Sequence, residues 1–194
     1  MMNRDQKTLR KAQKAIIAAF IDLIKKKGFL KVTVQEIITA AQVNKSTFYV
    51  YYLDKFDLLS KVEDQLLAGL REIEEDVPFD LVISDGVDEG TQSYTERFLK
   101  YMYDNGELFT LFTTDDYCNI TFMNKNKDAI KKLWEDKNIS NRLAVPQMYA
   151  VSALVGMIHN LICEWAVNGF QETPEEFINI YRKVIGTVPQ SIFV

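Results

Sequence analysis

Two helix-start signals lie close together near the N-terminus, and they constrain the fold more than any other feature of the chain. Thr33 and Glu36 form an S/T-x-x-E capping box, in which the threonine oxygen accepts from the amide at 36 and the carboxylate reaches back to the amide at 33. The apolar residues that follow, Val34, Ile37, Ile38, Ala40 and Ala41, recur at helical spacing, while Gln35 and Thr39 remain outside. Asn44 is a good N-cap for a second helix from Lys45 to about Tyr52. In that helix Phe48 and Tyr52 are spaced i, i+4 and face inward, leaving Lys45, Ser46, Thr47, Tyr49, Val50 and Tyr51 for water or a partner. Two short helices joined by a tight turn make a helix-turn-helix. The plainer alternative is a helical hairpin in an all-helical core that touches no DNA.

Charge separates these readings. The whole chain is acidic, with 23 Lys+Arg against 27 Asp+Glu, which by itself argues against a nucleic-acid partner. Residues 1 to 60, however, hold 11 basic against 5 acidic residues, a net of +6, and the remainder holds 12 against 22, a net of −10. A basic head on an acidic body places the phosphate-binding surface in the N-terminal part and keeps the rest from sticking to DNA.

The segment Thr47-Phe48-Tyr49-Val50-Tyr51-Tyr52-Leu53-Asp54-Lys55 resembles the T-F-Y-x-Y-F/Y-x-S/N-K ending of the DNA-binding segment in the tetracycline-repressor (TetR) family. The preceding Ala41-Gln42-Val43-Asn44-Lys45-Ser46 lies in register with that family's A-G-V-S-x-G and departs from it at Gln42, Asn44 and Ser46. Glycine usually allows positive φ at the turn, so glutamine at 42 is expected to strain the turn or close it differently. At the other end, Trp165-Ala166-Val167-Asn168-Gly169 followed by Thr173-Pro174-Glu175-Glu176 resembles the W-x-x-N-G and S/T-P-E-E pattern of one TetR subgroup. The resemblance implies an all-α fold of about nine helices, with a three-helix DNA-binding domain over 1–54 and a helical regulatory and dimerisation domain over 55–194. It also implies a cytoplasmic, sequence-specific transcriptional regulator, a repressor, that binds a palindromic operator in double-stranded DNA as a homodimer.

Residue types assign roles within the head. Lys45 and Ser46, at the start of the second helix of the motif, are candidates for base edges, with Gln35 approaching from the helix before it. Thr33, Thr47, Tyr49, Tyr51 and Lys55 are expected to hold phosphates, Lys55 beside the free amides of a helix capped by Asp54. Such contacts position a protein without encoding sequence.

The first helix is read over 8–27, with Ala12, Ile16, Phe20 and Ile24 along one face and Gly28 as its stop. The fourth runs from Lys55 through Leu58, Leu59, Val62, Leu66 and Leu70, a lever between head and body. A loop is expected over 78–90, then helices at about 91–104, 105–114, 119–136 and 142–168, and a last one starting at Pro174. The stretch 147–167 is apolar enough to suggest a membrane span, but His159, Asn160 and Glu164 interrupt it, so a buried interface helix is the better reading and no membrane is invoked. In the family the last two long helices pack against their copies, and here Met148, Val151, Ser152, Val155, Ile158, Ile162, Phe177, Ile180 and Tyr181 are candidates for that interface.

One histidine, and two cysteines far apart without C-x-x-C spacing, give no basis for a catalytic relay, a metal site or a cofactor, although Cys118 and Cys163 leave redox sensing open. The middle helices carry Phe98, Tyr101, Met102, Phe109, Phe112, Tyr117, Phe122, Met123 and Trp134, which either form plain core or line a pocket for an apolar or aromatic effector. Control by a protein partner instead of a small molecule is the second reading.

Overall fold

The computed structural model of the chain describes residues 4–75 and 89–185. All regular structure in these residues is helical: α1 (Arg4–Lys27), a 3-10 turn (Phe29–Lys31), α2 (Val34–Ala40), α3 (Lys45–Tyr51), α4 (Lys55–Glu75), α5 (Glu89–Asp104), α6 (Gly106–Thr114), α7 (Asp116–Asp136), a second 3-10 turn (Ile139–Arg142), α8 (Gln147–Val167) and α9 (Pro174–Ile185). Most of the stretch 78–90 lies outside the described residues.

The local signals act as read. Thr33 Oγ1 accepts from the Glu36 amide at 3.3 Å, and Glu36 Oε2 accepts from the Thr33 amide at 3.0 Å. A hydrogen bond from Lys27, followed by those from Thr33, lowers the Glu36 carboxyl to about 2. Asn44 Oδ1 accepts from the Thr47 amide at 2.7 Å and starts α3. Gln42 closes the turn between α2 and α3 at φ 53°, so the chain keeps the left-handed conformation that a glycine favours. A side chain there costs about 1 kcal/mol or more. Gln42→Gly is therefore expected to raise the unfolding free energy by about 0.5–1 kcal/mol, after the glycine's greater unfolded-state freedom is subtracted. Urea denaturation checks it, and an unchanged midpoint contradicts the strain.

Three helix starts differ from the sequence reading by three residues or more, and the first is that of α1, which begins at Arg4 instead of 8. α7 begins at Asp116 instead of 119, because Asp115 caps it, its Oδ1 accepting from the Cys118 amide at 3.0 Å. α8 begins at Gln147 instead of 142: Pro146 disfavours helix in the residue before it, so residues 139–142 form a separate 3-10 turn.

One cluster of buried side chains runs without interruption from Ile16, Phe20 and Phe48 in the head through Leu58 and Leu66 of α4 to Phe112, Phe122, Trp165 and Phe177 in the body. A boundary at 54/55 falls on the α4 cap, where Asp54 Oδ1 accepts from the Phe56 and Asp57 amides at 2.8 Å each, but the apolar core does not break there. A smaller cluster of Trp134, Ile139, Ala150, Val151 and Val155 joins α7 to α8. α8 is long and apolar enough to cross a membrane by composition, yet Ala150, Val151, Val155, Ile162, Trp165 and Ala166 are buried inside the fold. Trp165 stacks on Phe177 at 4.1 Å and donates its indole N–H to the Glu172 carbonyl at 3.0 Å, which fixes α9 against α8.

Candidate nucleic-acid interface

α3 buries Phe48 completely and seats Tyr52, its C-cap, in the core, so its opposite side is turned out. That side carries Lys45, Ser46, Tyr49 and Val50, all exposed, at the i, i+1, i+4, i+5 spacing of one helix face. Thr47 is half-buried, and its hydroxyl, like that of Ser46, donates to Asn44 Oδ1 at 2.7 Å. From α2, Thr33, Gln35 and Thr39 are exposed; the Thr39 hydroxyl donates to the Gln35 carbonyl at 2.9 Å. The ring of Tyr49 meets Phe48 edge-on at 5.4 Å, which holds an aromatic ring at the surface beside Lys45.

Two of the expected phosphate contacts sit elsewhere. Lys55 is turned inward: Nζ donates to the carbonyls of Phe29, Leu30 and Val32 at 3.1, 2.9 and 2.9 Å, using all three ammonium hydrogens. It also lies 4.8 Å from the Phe29 ring centre and 5.3 Å from that of Phe56. At the start of α4 the Phe56 and Asp57 amides are taken by Asp54 Oδ1. Tyr51 is half-buried and its hydroxyl is shielded from water without a partner among the described residues. Lys55 therefore braces the approach to α2, and Tyr51 packs against the core.

Beyond α4, the head is tied to the body by a second set of contacts. Phe29 stacks on Tyr117 of α7 at 4.7 Å and 12°, and Phe56 meets the same ring at 6.1 Å. Asp115 Oδ2 accepts from the Phe29 amide at 2.8 Å while its Oδ1 caps α7, so one carboxylate joins the two parts. Lys25 pairs with Glu107 at 2.7 Å. Farther along, buried Glu63 of α4 accepts from the Thr121 hydroxyl at 2.6 Å and pairs with Lys125 at 3.1 Å, and burial pushes its carboxyl up from the ordinary range. Lys125 also donates to Ser60 Oγ at 2.7 Å and pairs with Asp64 at 2.8 Å.

On its opposite side α7 borders a cavity of about 70 Å³, bounded also by α4, α5, α6, α8 and α9. Phe98, Met102, Phe109, Phe112 and Phe122 line it as expected, together with Thr113, Asn126, His159 and Cys163, which the sequence reading did not place there. Tyr101 does not line it: Gly69 of α4 lets the ring lie so close that an added Cβ would meet it at 2.3–2.7 Å, and the hydroxyl donates to the Leu66 carbonyl at 3.0 Å. Trp134 belongs to the smaller cluster.

Several proposed interface residues are likewise used within the chain. Val151, Val155, Ile162 and Phe177 are buried, and Ile158 and Tyr181 line the cavity; of the candidates, Met148, Ser152 and Ile180 are open. The outward face of α8 instead carries Met148, Tyr149, Ser152, Ala153 and Asn160 with half-buried Gly156 and Met157, and α9 adds exposed Ile180 and Val184.

An outward polar and basic α3 is mounted on a helical body through one continuous core. Residues 16–62 match the model for bacterial regulatory proteins of the tetR family, and residues 89–187 match the one for the C-terminal region of transcriptional regulators. The chain belongs to the TetR family. It is a transcriptional regulator of that family with a helix-turn-helix DNA-binding domain. A curated relative, the uncharacterized HTH-type transcriptional regulator YvaF of Bacillus subtilis, is 38% identical over 64 residues, 33% of either chain, so the match spans a third of that protein's length. The TetR fold is also that of a putative TetR-family regulator from Syntrophomonas wolfei (TM-score 0.60, 18% identity, 93% of this chain and 95% of the other). FadR from Bacillus subtilis, solved with stearoyl-CoA, is similar at TM-score 0.56 and 16% identity over 92% and 98% of the two chains.

Proposed function

We propose that the chain is an operator-binding repressor that acts as a homodimer and is released by a small-molecule effector held in its body. The observation that carries the DNA part is the outward face of α3, where Lys45, Ser46 and Tyr49 stand free of the core while Phe48 and Tyr52 anchor the helix. Lys45 and Ser46 read base edges in the major groove, assisted by Gln35, and Thr33, Thr47 and Tyr49 hold phosphates. A palindromic operator needs two such helices about one DNA turn, roughly 34–36 Å, apart. Exposed Met148 and Tyr149 on α8, with Ile180 and Val184 of α9, support the dimer that provides them.

An effector in the cavity touches Phe122 and Asn126 of α7, whereas Thr121 and Lys125 on the same helix hold Ser60, Glu63 and Asp64 of α4. A shift of α7 is thereby passed to α4 and changes the separation of the two heads, as a population shift between DNA-competent and incompetent dimers.

Two substitutions test the contact assignments. Tyr49→Ala is expected to weaken binding to all sequences alike by lowering a sequence-independent contribution. Titration against the operator and a scrambled duplex checks it, and a loss confined to the operator contradicts the phosphate role. Lys45→Ala is expected to relax preference at particular base positions, by about 1–3 kcal/mol for a bidentate contact. Uniform weakening across a set of single-base operator variants would make Lys45 a backbone contact instead.

A further inference from the structure

The cavity in the body is aromatic and uncharged. Phe112 and Phe122 stack at 4.7 Å and 11°, and Phe109 meets Phe122 edge-on at 5.9 Å, so packed aromatic rings make up one wall. No Asp, Glu, Lys or Arg lines it among the described residues; its polar atoms belong to Thr113, Asn126, Cys163, His159 and tyrosines. Thr113 already donates its hydroxyl to the Thr110 carbonyl at 2.8 Å. Lys127 and Arg182 lie outside the lining.

His159 is the polar group best placed to read an occupant. Asn119 Nδ2 lies 3.1 Å from His159 Nε2, which orients the ring and leaves Nδ1 as its remaining hydrogen-bonding atom. With the Asn119 amide donating, the proton of the neutral ring sits on Nδ1 and can be given to an acceptor oxygen. Burial and the charge of Lys127 both oppose protonation of His159. A carboxylate or phosphate in this cavity would therefore be desolvated with no cationic side chain among the lining residues to pair with it, which is the costly arrangement for a buried ion. Size adds a second limit. About 70 Å³ is less than the roughly 150 Å³ of an engineered cavity that admits benzene, so a single ring enters only as side chains yield, and larger occupants demand much more.

We propose that this cavity takes an uncharged, single-ring aromatic compound bearing one hydroxyl or carbonyl oxygen, which His159 reads. The assignment rests on the reading of the body as effector-sensing and specifies what it senses.

Calorimetric titration of the full chain at neutral pH with p-cresol, benzyl alcohol and acetophenone, against p-toluate, toluene and stearoyl-CoA, tests it. The neutral oxygen-bearing rings are expected to bind at least roughly tenfold more tightly than p-toluate, given an unpaired buried charge. In His159→Leu their affinity is expected to fall roughly fivefold, the worth of one hydrogen bond, with toluene unchanged. Equal or tighter binding of p-toluate or stearoyl-CoA overturns the assignment, as does failure of all three neutral compounds at millimolar concentration. The unmodified chain alone decides the charge question, whether or not the variant folds. Operator release, followed in parallel, is a separate readout: a neutral ring that binds without releasing DNA upholds the cavity assignment and removes the effector role.

Discussion

Phe29→Ala is expected to lower the unfolding free energy by about 3–5 kcal/mol, the range for deleting a buried aromatic ring, and the melting temperature by roughly 10 °C for a chain of this size. The ring is fully buried at the junction of head and body. It stacks on Tyr117 and meets Phe20 and Phe56 edge-on at 6.1 and 5.3 Å, with the Lys55 ammonium 4.8 Å from its centre. Each aromatic pair adds about 0.5–1.5 kcal/mol beyond area burial, so the loss falls at the upper end of the range. Leu30, the next residue, is 66% exposed, and Leu30→Ala is the matched control, with an expected change within about 0.5 kcal/mol. Equilibrium urea denaturation of both variants measures the difference. A Phe29→Ala midpoint as close to the parent as that of Leu30→Ala would mean that head and body are not joined through this ring.

Gly156→Trp is expected to convert a dimer to a monomer and to weaken operator binding by roughly 10²–10⁴, the loss that follows when two linked heads bind one at a time. Gly156 lies in the middle of α8, where glycine costs about 1 kcal/mol relative to alanine. Nothing among the described residues explains it, because a Cβ added there meets none of their atoms within 4 Å. Its surroundings on the helix face are Ser152, Ala153 and Asn160, also small or polar, with Met148 and Met157 at the flanks. In the proposed dimer, a second copy approaching closely at this point would account for the missing side chain. An added Cβ meets no described atom, so the substitution is expected to block the approach of a second copy without a clash at its first side-chain atom; light scattering with a DNA titration reads both effects, and circular dichroism checks that the variant folds. An unchanged mass with unchanged affinity would place the interface elsewhere.

What could be read from sequence was local. The caps at Thr33, Asn44, Asp54 and Thr173 are formed by residues within four positions of one another, so spacing alone reveals them. The inward pair Phe48 and Tyr52 follows from helical periodicity. The Asp115 cap was open to the same reasoning, as an aspartate three residues before the amide it accepts, but it adjoins Thr114 and Asp116 without a break that marks it. Its second bond, to Phe29 across 86 positions, has no sequence signal. Lys55 failed for that reason: a lysine at a helix start is a plausible phosphate ligand until the fold brings three carbonyls from 23 to 26 residues away to its ammonium. Val151, Val155 and Ile162 were misassigned to the α8 interface for another reason. Hydrophobicity reports that a side chain leaves water, not whether its own chain or a second copy covers it. Val151 and Met148 are both apolar, and only the fold separates the buried one from the exposed one. Gly156 was the available clue, a glycine within a helix without a turn to explain it.

In the proposed function α3 reads specific DNA on behalf of a dimer. The most direct test is titration of the purified chain against the DNA upstream of its own gene, at two salt concentrations and with excess nonspecific competitor, with the mass of the complex recorded. Binding by a dimer that resists competitor, weakens with salt and is lost in Lys45→Ala paired with Tyr49→Ala is the predicted result. Binding that competitor abolishes, followed by a random-sequence selection that enriches no motif, would contradict it.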